Sequence, residues 1–244
     1  MRNVYALLAA VVALGLLSAR SYLRKPVTSP FEGPLTTVLL SRQESDITLE
    51  RRPDGSWTVT PPGDLADSQA ASRLAGGLEA LTFGDVVAGA DAAAAYGLAV
   101  RARAGMGDVL FGRPALDGGL YAADGPGAPV RLARGPAPEL LARSAEQWRE
   151  RRALPQGCPS GAEVLEAGKP ARRVPADDPL CALLATGFEP ASAVPFGGFE
   201  RPYLTVKPDG GPVMRVGARL SRRERAVSVE GRPGMLRVAL DGPL

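Results

Sequence analysis

Apolar positions between residues 35 and 133 come in short runs broken by glycine, proline and aspartate, which is the spacing of strands and turns. LTTVLLSR opens with a strand rich in β-branched and apolar residues. In DITLERR, Ile47 and Leu49 alternate with Thr48 and Glu50, the period-two pattern of a half-buried strand. Pro53, Asp54 and Gly55 then supply turn chemistry: a preset φ, a side chain that bonds back to the backbone, and tolerance of positive φ. SWTVTP returns as the partner strand with Trp57 and Val59 on one face, and Pro61 and Pro62 stop it because proline cannot donate to a ladder. The period then changes. Leu74, Leu78 and Leu81 lie at i, i+4 and i+7, and Asp67 or Ser68 stands where a helix cap is needed. The pattern is a β-hairpin feeding an amphipathic helix that packs on the sheet, with Trp57 as a packing residue.

Further on, the spacing predicts a short helix over 92–96 ended by Gly97, and strands over 99–102, 109–112, 120–123 and 130–133. A helix is expected over 138–151, with Leu140, Leu141, Ala145 and Trp148 on one side.

The second half echoes the first in a constant order. VLFG at 109–112 compares with MRVG at 214–217, and DGPGAPVRLA at 124–133 with VEGRPGMLRVA at 229–239. The turn RPDGS at 52–56 compares with KPDGG at 207–211. The helix expected near Asp178, DPLCALLATGF, precedes ASAVP as the first helix precedes TFGDVV. Strand-and-glycine segments resemble one another by chance, so the order carries the argument. The fold class expected is α+β: an N-terminal transmembrane helix, then two related strand-rich modules at 35–154 and 155–244, mainly antiparallel sheets with packed helices.

The first 23 residues differ from all this. MRNVYALLAAVVALGLLSAR has an uncharged apolar run at 4–19 between Arg2 and Arg20. As a helix it spans roughly 24 Å against a hydrocarbon core of about 30 Å, and snorkelling arginines make up the difference. A cleaved signal peptide is the rival reading. Leu17 stands where its cleavage site wants a small residue, and the cysteine of a lipoprotein signal is missing, so an uncleaved anchor at 1–23 is preferred. Residues 24–34, with three prolines between them, then form a tether. Arg20, Arg24 and Lys25 outnumber Arg2, which by the positive-inside count favours a cytoplasmic body, although a long following domain translocates despite such charges.

Composition narrows the chemistry. Net charge is +3, but the basic residues are almost all arginine, are scattered among acids, and do not interleave with the 5% of aromatics, which argues against nucleic-acid binding. WRERR at 148–152 reads as the end of a helix, where cations suit the dipole, and SRRER at 221–225 as a solvated turn. The chain has no histidine, which removes Ser-His-Asp and Cys-His catalysis and the commonest metal ligand. Two cysteines cannot build a four-cysteine zinc site; Cys158 and Cys181 read equally as a disulfide or as buried thiols. There is no phosphate-binding loop of the Walker type. Asp54, Asp64, Asp67, Asp117, Asp124, Asp177, Asp178 and Asp209 all stand at turn or cap positions, and the three lysines, Lys25, Lys169 and Lys207, each precede a proline. No catalytic, cofactor-binding or metal-binding residue is assigned, and no cofactor is expected.

These residues carry a resemblance. An anchor, a strand, PDGSWTVTPPGDLADSQAASRLAGGLEAL, then DVV, YGL, a strand ending FG, GGLYAADG and a helix ending WRERRAL resemble the family called domain of unknown function 4340. The likeness covers residues 38–154 well and the second half loosely; Tyr96-Gly97-Leu98, Trp148 and the Trp57 to Pro61 spacing fall in matching order. The resemblance implies a single-pass inner-membrane protein with an extracytoplasmic, periplasmic body, often encoded beside ABC-transporter and gliding-type components. It carries no catalytic residues. The function expected is therefore a non-enzymatic accessory or interaction subunit with a protein partner in an envelope transport complex. The alternative is a histidine-free envelope hydrolase acting on glycans, which needs two carboxyl groups about 5–10 Å apart in a deep cleft.

Overall fold

A computed structural model describes residues 29–43 and 45–240. The expected anchor and most of the tether lie outside the described residues. The strands are β1 (Thr37–Ser41), β2 (Asp46–Arg51), β3 (Trp57–Thr60), β4 (Asp64–Leu65), β5 (Thr82–Ala88), β6 (Val100–Ala104), β7 (Gly107–Pro114), β8 (Leu120–Ala123) and β9 (Val130–Arg134), then β10 (Ala162–Glu166), β11 (Arg172–Val174), β12 (Ala185–Glu189), β13 (Leu204–Pro208), β14 (Met214–Arg219), β15 (Glu224–Val229) and β16 (Met235–Ala239). The helices are α1 (Ser68–Glu79), α2 (Pro138–Leu141) and α3 (Ala145–Trp148), with 3₁₀ helices at Ala90–Tyr96, Pro179–Ala182 and Ala191–Gly197.

The strands form two wholly antiparallel sheets, a strand-rich α+β arrangement. The first runs β4-β3-β2-β1-β6-β7-β8-β9-β5 and the second β11-β10-β13-β14-β15-β16-β12. With the β3–β4 addition set aside, the first sheet has the same order of successive strands as the second: its β2-β1-β6-β7-β8-β9-β5 takes the places of β11-β10-β13-β14-β15-β16-β12. The 3₁₀ helices Ala90–Tyr96 and Ala191–Gly197 fall at matching points, between β5 and β6 and between β12 and β13. Each ends on a left-handed glycine, Gly97 (φ 66°) or Gly198 (φ 69°). Each leans on a glycine of the facing strand: a Cβ on Gly112 would lie 2.3 Å from the Tyr96 carbonyl oxygen, and one on Gly217 1.9 Å from that of Gly197. Only glycine admits that approach.

Two of the sequence echoes therefore fall on matching strands, β7 with β14 and β9 with β16. Two do not. RPDGS closes the β2–β3 hairpin, whereas KPDGG closes β13–β14, whose counterpart is the β6–β7 turn. ASAVP lies in the 3₁₀ helix that matches ADAAAAY; the strand matching TFGDVV is ATGFE. Proline, aspartate and glycine suit any tight turn, so turn sequence alone does not identify which turn it is.

The hairpin and helix form from the residues that predict them. Arg52 and Ser56 close the β2–β3 turn by a backbone hydrogen bond of 2.8 Å, and Asp54 accepts from the Ser56 amide at 2.9 Å. Asp67 caps α1, accepting from the Ala70 amide at 3.0 Å. The helix buries Leu74 and Leu78 completely against Trp57, Val59, Leu40 and Leu49 of the first core. Trp57 is 1% exposed, and its indole donates to the Ser72 hydroxyl at 3.1 Å. Ser29 to Phe31 are also docked on this module: the Ser29 hydroxyl donates to the Leu78 carbonyl at 2.7 Å and Phe31 is buried.

One predicted helix is broken. In place of a helix over 138–151 stand α2 and α3, separated by Ala142 to Ser144. Arg42, from the loop after β1, donates to the carbonyls of Leu141 and Arg143 and so ends α2. Ser144 then starts a new helix with a reciprocal capping box to Gln147. A distant arginine decides this, so periodicity is blind to it.

The second core holds Val164, Leu180, Val206, Met214, Val216, Val227, Leu236 and Val238, with Ala153 and Leu154 from the connecting segment. Residues 149–153 stitch the modules together. On one side Glu150 donates to the Leu65 carbonyl (2.8 Å), beside the edge strand β4; on the other, Ala153 donates to Leu183 (2.8 Å) and Ala185 to Arg151 (2.7 Å), at the start of edge strand β12.

Candidate functional site

The junction is built around one carboxylate and two guanidinium groups. The β3–β4 addition places Asp64 on a two-residue strand, 1% exposed. Arg149, the residue after α3, donates its Nε to Asp64 Oδ2 at 2.8 Å and stacks its guanidinium 3.9 Å over the Phe188 ring of β12. Arg232 comes from the β15–β16 turn of the second module. It grips Asp64 with two parallel bonds, Nε to Oδ1 and Nη2 to Oδ2, both 2.9 Å. Its remaining donors reach the carbonyls of Arg152 and Glu150, each at 2.7 Å. Asp64 Oδ1 also accepts from the Leu65 amide at 2.7 Å. The arrangement is a latch: Asp64 meets both guanidinium groups, and the three side chains are at most 8% exposed. It fixes the modules on one another and leaves no room for a substrate.

Sequence reasoning placed Asp64 in a turn and Arg149 at a helix end facing its dipole. Both are corrected by burial. Nothing in the spacing marks Asp64, because its partners are 85 and 168 residues away.

Two clefts flank the latch. A broad one of about 940 Å³ is bordered by Asp67, Glu139, Arg143, Glu150 and Arg151. Within it Arg143 bonds Asp67 at 3.0 Å and covers the Trp148 ring at 5.1 Å. Burial alone would raise Asp67, but the Ala70 amide and Arg143 outweigh it and hold the carboxyl below its ordinary range. A smaller one of about 340 Å³ lies between the two Pro-Asp-Gly turns, with Asp54 on one wall and Asp209 on the other over Leu65 and Leu154. The echo seen in the sequence thus reappears as two walls of one cleft.

Several other carboxylates are engaged locally. The hydroxyl and amide of Ser56 lower Asp54, Arg101 lowers Asp108, and Lys169 lowers Glu166. Asp178 caps the 3₁₀ helix Pro179–Ala182 through the Leu180 amide at 2.9 Å, Asp117 bonds the Gly119 amide at 3.1 Å, and Asp209 pairs with Arg173. Lys169 is held by Glu166 at 2.6 Å, and Lys207 by Glu163 at 3.2 Å. Cys158 and Cys181, left open by the sequence, form a disulfide with Cα atoms 5.5 Å apart. Among the described residues no cluster of three or more Cys, Asp or Glu is placed to hold a metal ion.

The sheet edges differ from one another. β4 and β12 abut the stitching segment, and β11 is a three-residue strand guarded by exposed Arg172 and Arg173. β5 is a seven-residue edge strand with Val86 51% and Val87 43% exposed, paired to β9 through two register shifts.

No family model, curated protein or solved structure matches this chain.

Proposed function

We propose that this chain is a non-enzymatic, membrane-anchored accessory protein of the cell envelope. Its extracytoplasmic body would present the β5 edge to a protein partner, in an ABC-type transport system as the resemblance implies. The observation that carries the reading is β5: the longest sheet edge among the described residues, with two exposed valines and only Asp85 and two register shifts to blunt it. Such an edge suits strand addition, in which backbone groups give affinity and alternate side chains give specificity. The latch supports the same reading, since a rigid pair of modules keeps a presented edge in one orientation. The Cys158–Cys181 bond suits an oxidising compartment. Asp67, one carboxylate of the broad cleft, does not suit the general acid of glycan hydrolysis. A general acid needs a raised pKa, whereas Asp67 is lowered and tied to Arg143.

The test is a photo-crosslinking residue at Val87 in intact membranes, in the parent chain and in one that also carries Val86→Lys. One discrete crosslinked partner that disappears in the lysine variant is the expected result. A single carboxylate whose substitution, Asp67→Asn or Glu139→Gln, abolishes function while folding and membrane location persist would overturn it in favour of the hydrolase.

A further inference from the structure

The end of the second sheet far from the latch carries charges that its counterpart lacks. In each sheet one hairpin tip sits beside a 3₁₀ helix: β7–β8 beside Ala90–Tyr96, and β14–β15 beside Ala191–Gly197. The contact is close in the second sheet, where a Cβ on Gly198 would meet the Cβ of Ala218 at 3.3 Å. Both tips hold an exposed leucine, Leu116 in the first and Leu220 in the second. In the first, Asp117 bonds the Gly119 amide and pairs with Arg134 at 3.6 Å, and Arg113 lies over the Tyr96 ring at 6.0 Å. In the second, Arg219, Arg222 and Arg223 are all exposed, and none pairs with a carboxylate among the described residues. The one acid of that turn, Glu224, accepts instead from the Thr186 hydroxyl at 2.7 Å. Arg219 donates to the Arg222 carbonyl at 2.9 Å, so it shapes the turn, but the Arg222 and Arg223 guanidinium groups shape nothing. Phe196 stands 80% exposed on the 3₁₀ helix, just before the Gly197–Gly198 pair that abuts Gly217 and Ala218 at the base of this tip.

The first sheet is an internal control. It makes the same tip with a single exposed arginine, Arg113, laid over the Tyr96 ring, and without an exposed phenylalanine, so folding does not require a cluster of arginines or that ring. Unpaired guanidinium groups set beside a protruding phenyl ring and a leucine match one chemistry well. A bilayer headgroup layer offers phosphates to the former and the acyl boundary to the latter. A nucleic acid would want aromatic faces interleaved with the basic residues, which this tip lacks. We infer that the β14–β15 tip, with Phe196 beside it, is a docking surface for an anionic lipid headgroup layer. The inference rests on the membrane-anchored reading in one respect: two apolar side chains bind weakly, and only a chain already held at the bilayer has the effective concentration to use them.

The full chain carrying Phe196→Trp is reconstituted into vesicles of phosphatidylcholine, with and without phosphatidylglycerol. Trp57 and Trp148 are buried, so a change in emission reports the tip. With phosphatidylglycerol the emission should move to the blue and quenching by acrylamide should fall. High salt should reverse both, and Arg222→Gln and Arg223→Gln should weaken the response roughly fivefold each. Unchanged emission in chains that float with both vesicles overturns the inference. So does an equal shift with a soluble nucleic acid or an acidic protein in the absence of lipid. A chain that fails to float with phosphatidylcholine alone defeats the anchor reading instead. The tip is then decided by whether phosphatidylglycerol brings flotation and the blue shift.

Discussion

The two modules lay out the same strand order but stabilise it by different means. Between β2 and β5 the first module inserts the β3–β4 hairpin and a 12-residue helix, and buries Trp57, Leu74 and Leu78 beneath it. Between β11 and β12 the second has only the short 3₁₀ helix Pro179–Ala182, and there a disulfide ties Cys181 to Cys158 across 23 residues. A smaller sheet with no helix to cover it lacks apolar area, and a covalent clip supplies the missing constraint through the unfolded chain. The comparison teaches that the layout of these modules belongs to the strands, while the covering layer is interchangeable.

The most damaging change should fall between the modules. Asp64→Ala leaves Arg149 and Arg232 buried without their counter-charge, which should cost about 3–5 kcal/mol and separate one unfolding transition into two. Denaturant unfolding followed by hydrogen exchange reads both effects, and a loss under about 1 kcal/mol with a single transition would remove the latch from the account.

Next come the two covering devices. Leu78→Ala should cost about 3 kcal/mol, with protection lost over β1 to β9. Cys158→Ala/Cys181→Ala should also cost about 3 kcal/mol, with the loss confined to β10 to β16. If removing the disulfide loosens the first module equally, the modules are not separately stabilised.

The matched glycines give a sharper and smaller test. Gly112→Ala and Gly217→Ala each push a methyl into a carbonyl of the neighbouring 3₁₀ helix, and each should cost roughly 1–3 kcal/mol. A harmless substitution at one of them would break the correspondence of the two sheets at that point.

The smallest effect is at the caps. Asp67→Ala should cost about 1 kcal/mol, and Asp178→Ala less, because only the first begins a real helix. Asp67 is depressed in the folded state, so its contribution is present above the ordinary carboxylate pKa of about 4 and is lost as pH falls through the lower folded value. Acid titration of the parent should show that loss, and the Asp67→Ala curve should be flatter below about pH 4.

Much of this fold is legible in short stretches. Ile47 and Leu49 alternating, Trp57 and Val59 alternating, and Leu74 and Leu78 on one helical face are local facts about which side of an element meets water, whereas Leu81, expected on the same face, lies beyond the helix end at Glu79. The Gly97 stop and the Asp67 cap are also local. The split of the helix at Ala142 to Ser144 was not legible, because Arg42 lies about a hundred residues before the carbonyls it captures. The partners in the site were equally hidden. Asp64 reads as one more turn aspartate until Arg232 arrives from the other module, and the valines of β5 read as an ordinary strand until the sheet order leaves that strand at an edge.

By itself, then, the sequence determined the period of each element, the turns that separate them, and the absence of histidine chemistry, since these depend on neighbours within a few positions. Only the tertiary structure decided which turns correspond, which aspartate is buried, that Cys158 meets Cys181, and which strands end the sheets. Those outcomes depend on pairings between distant residues. The free energy of burying a charge or leaving an edge open is set by what packs there, and a run of residue types does not record that.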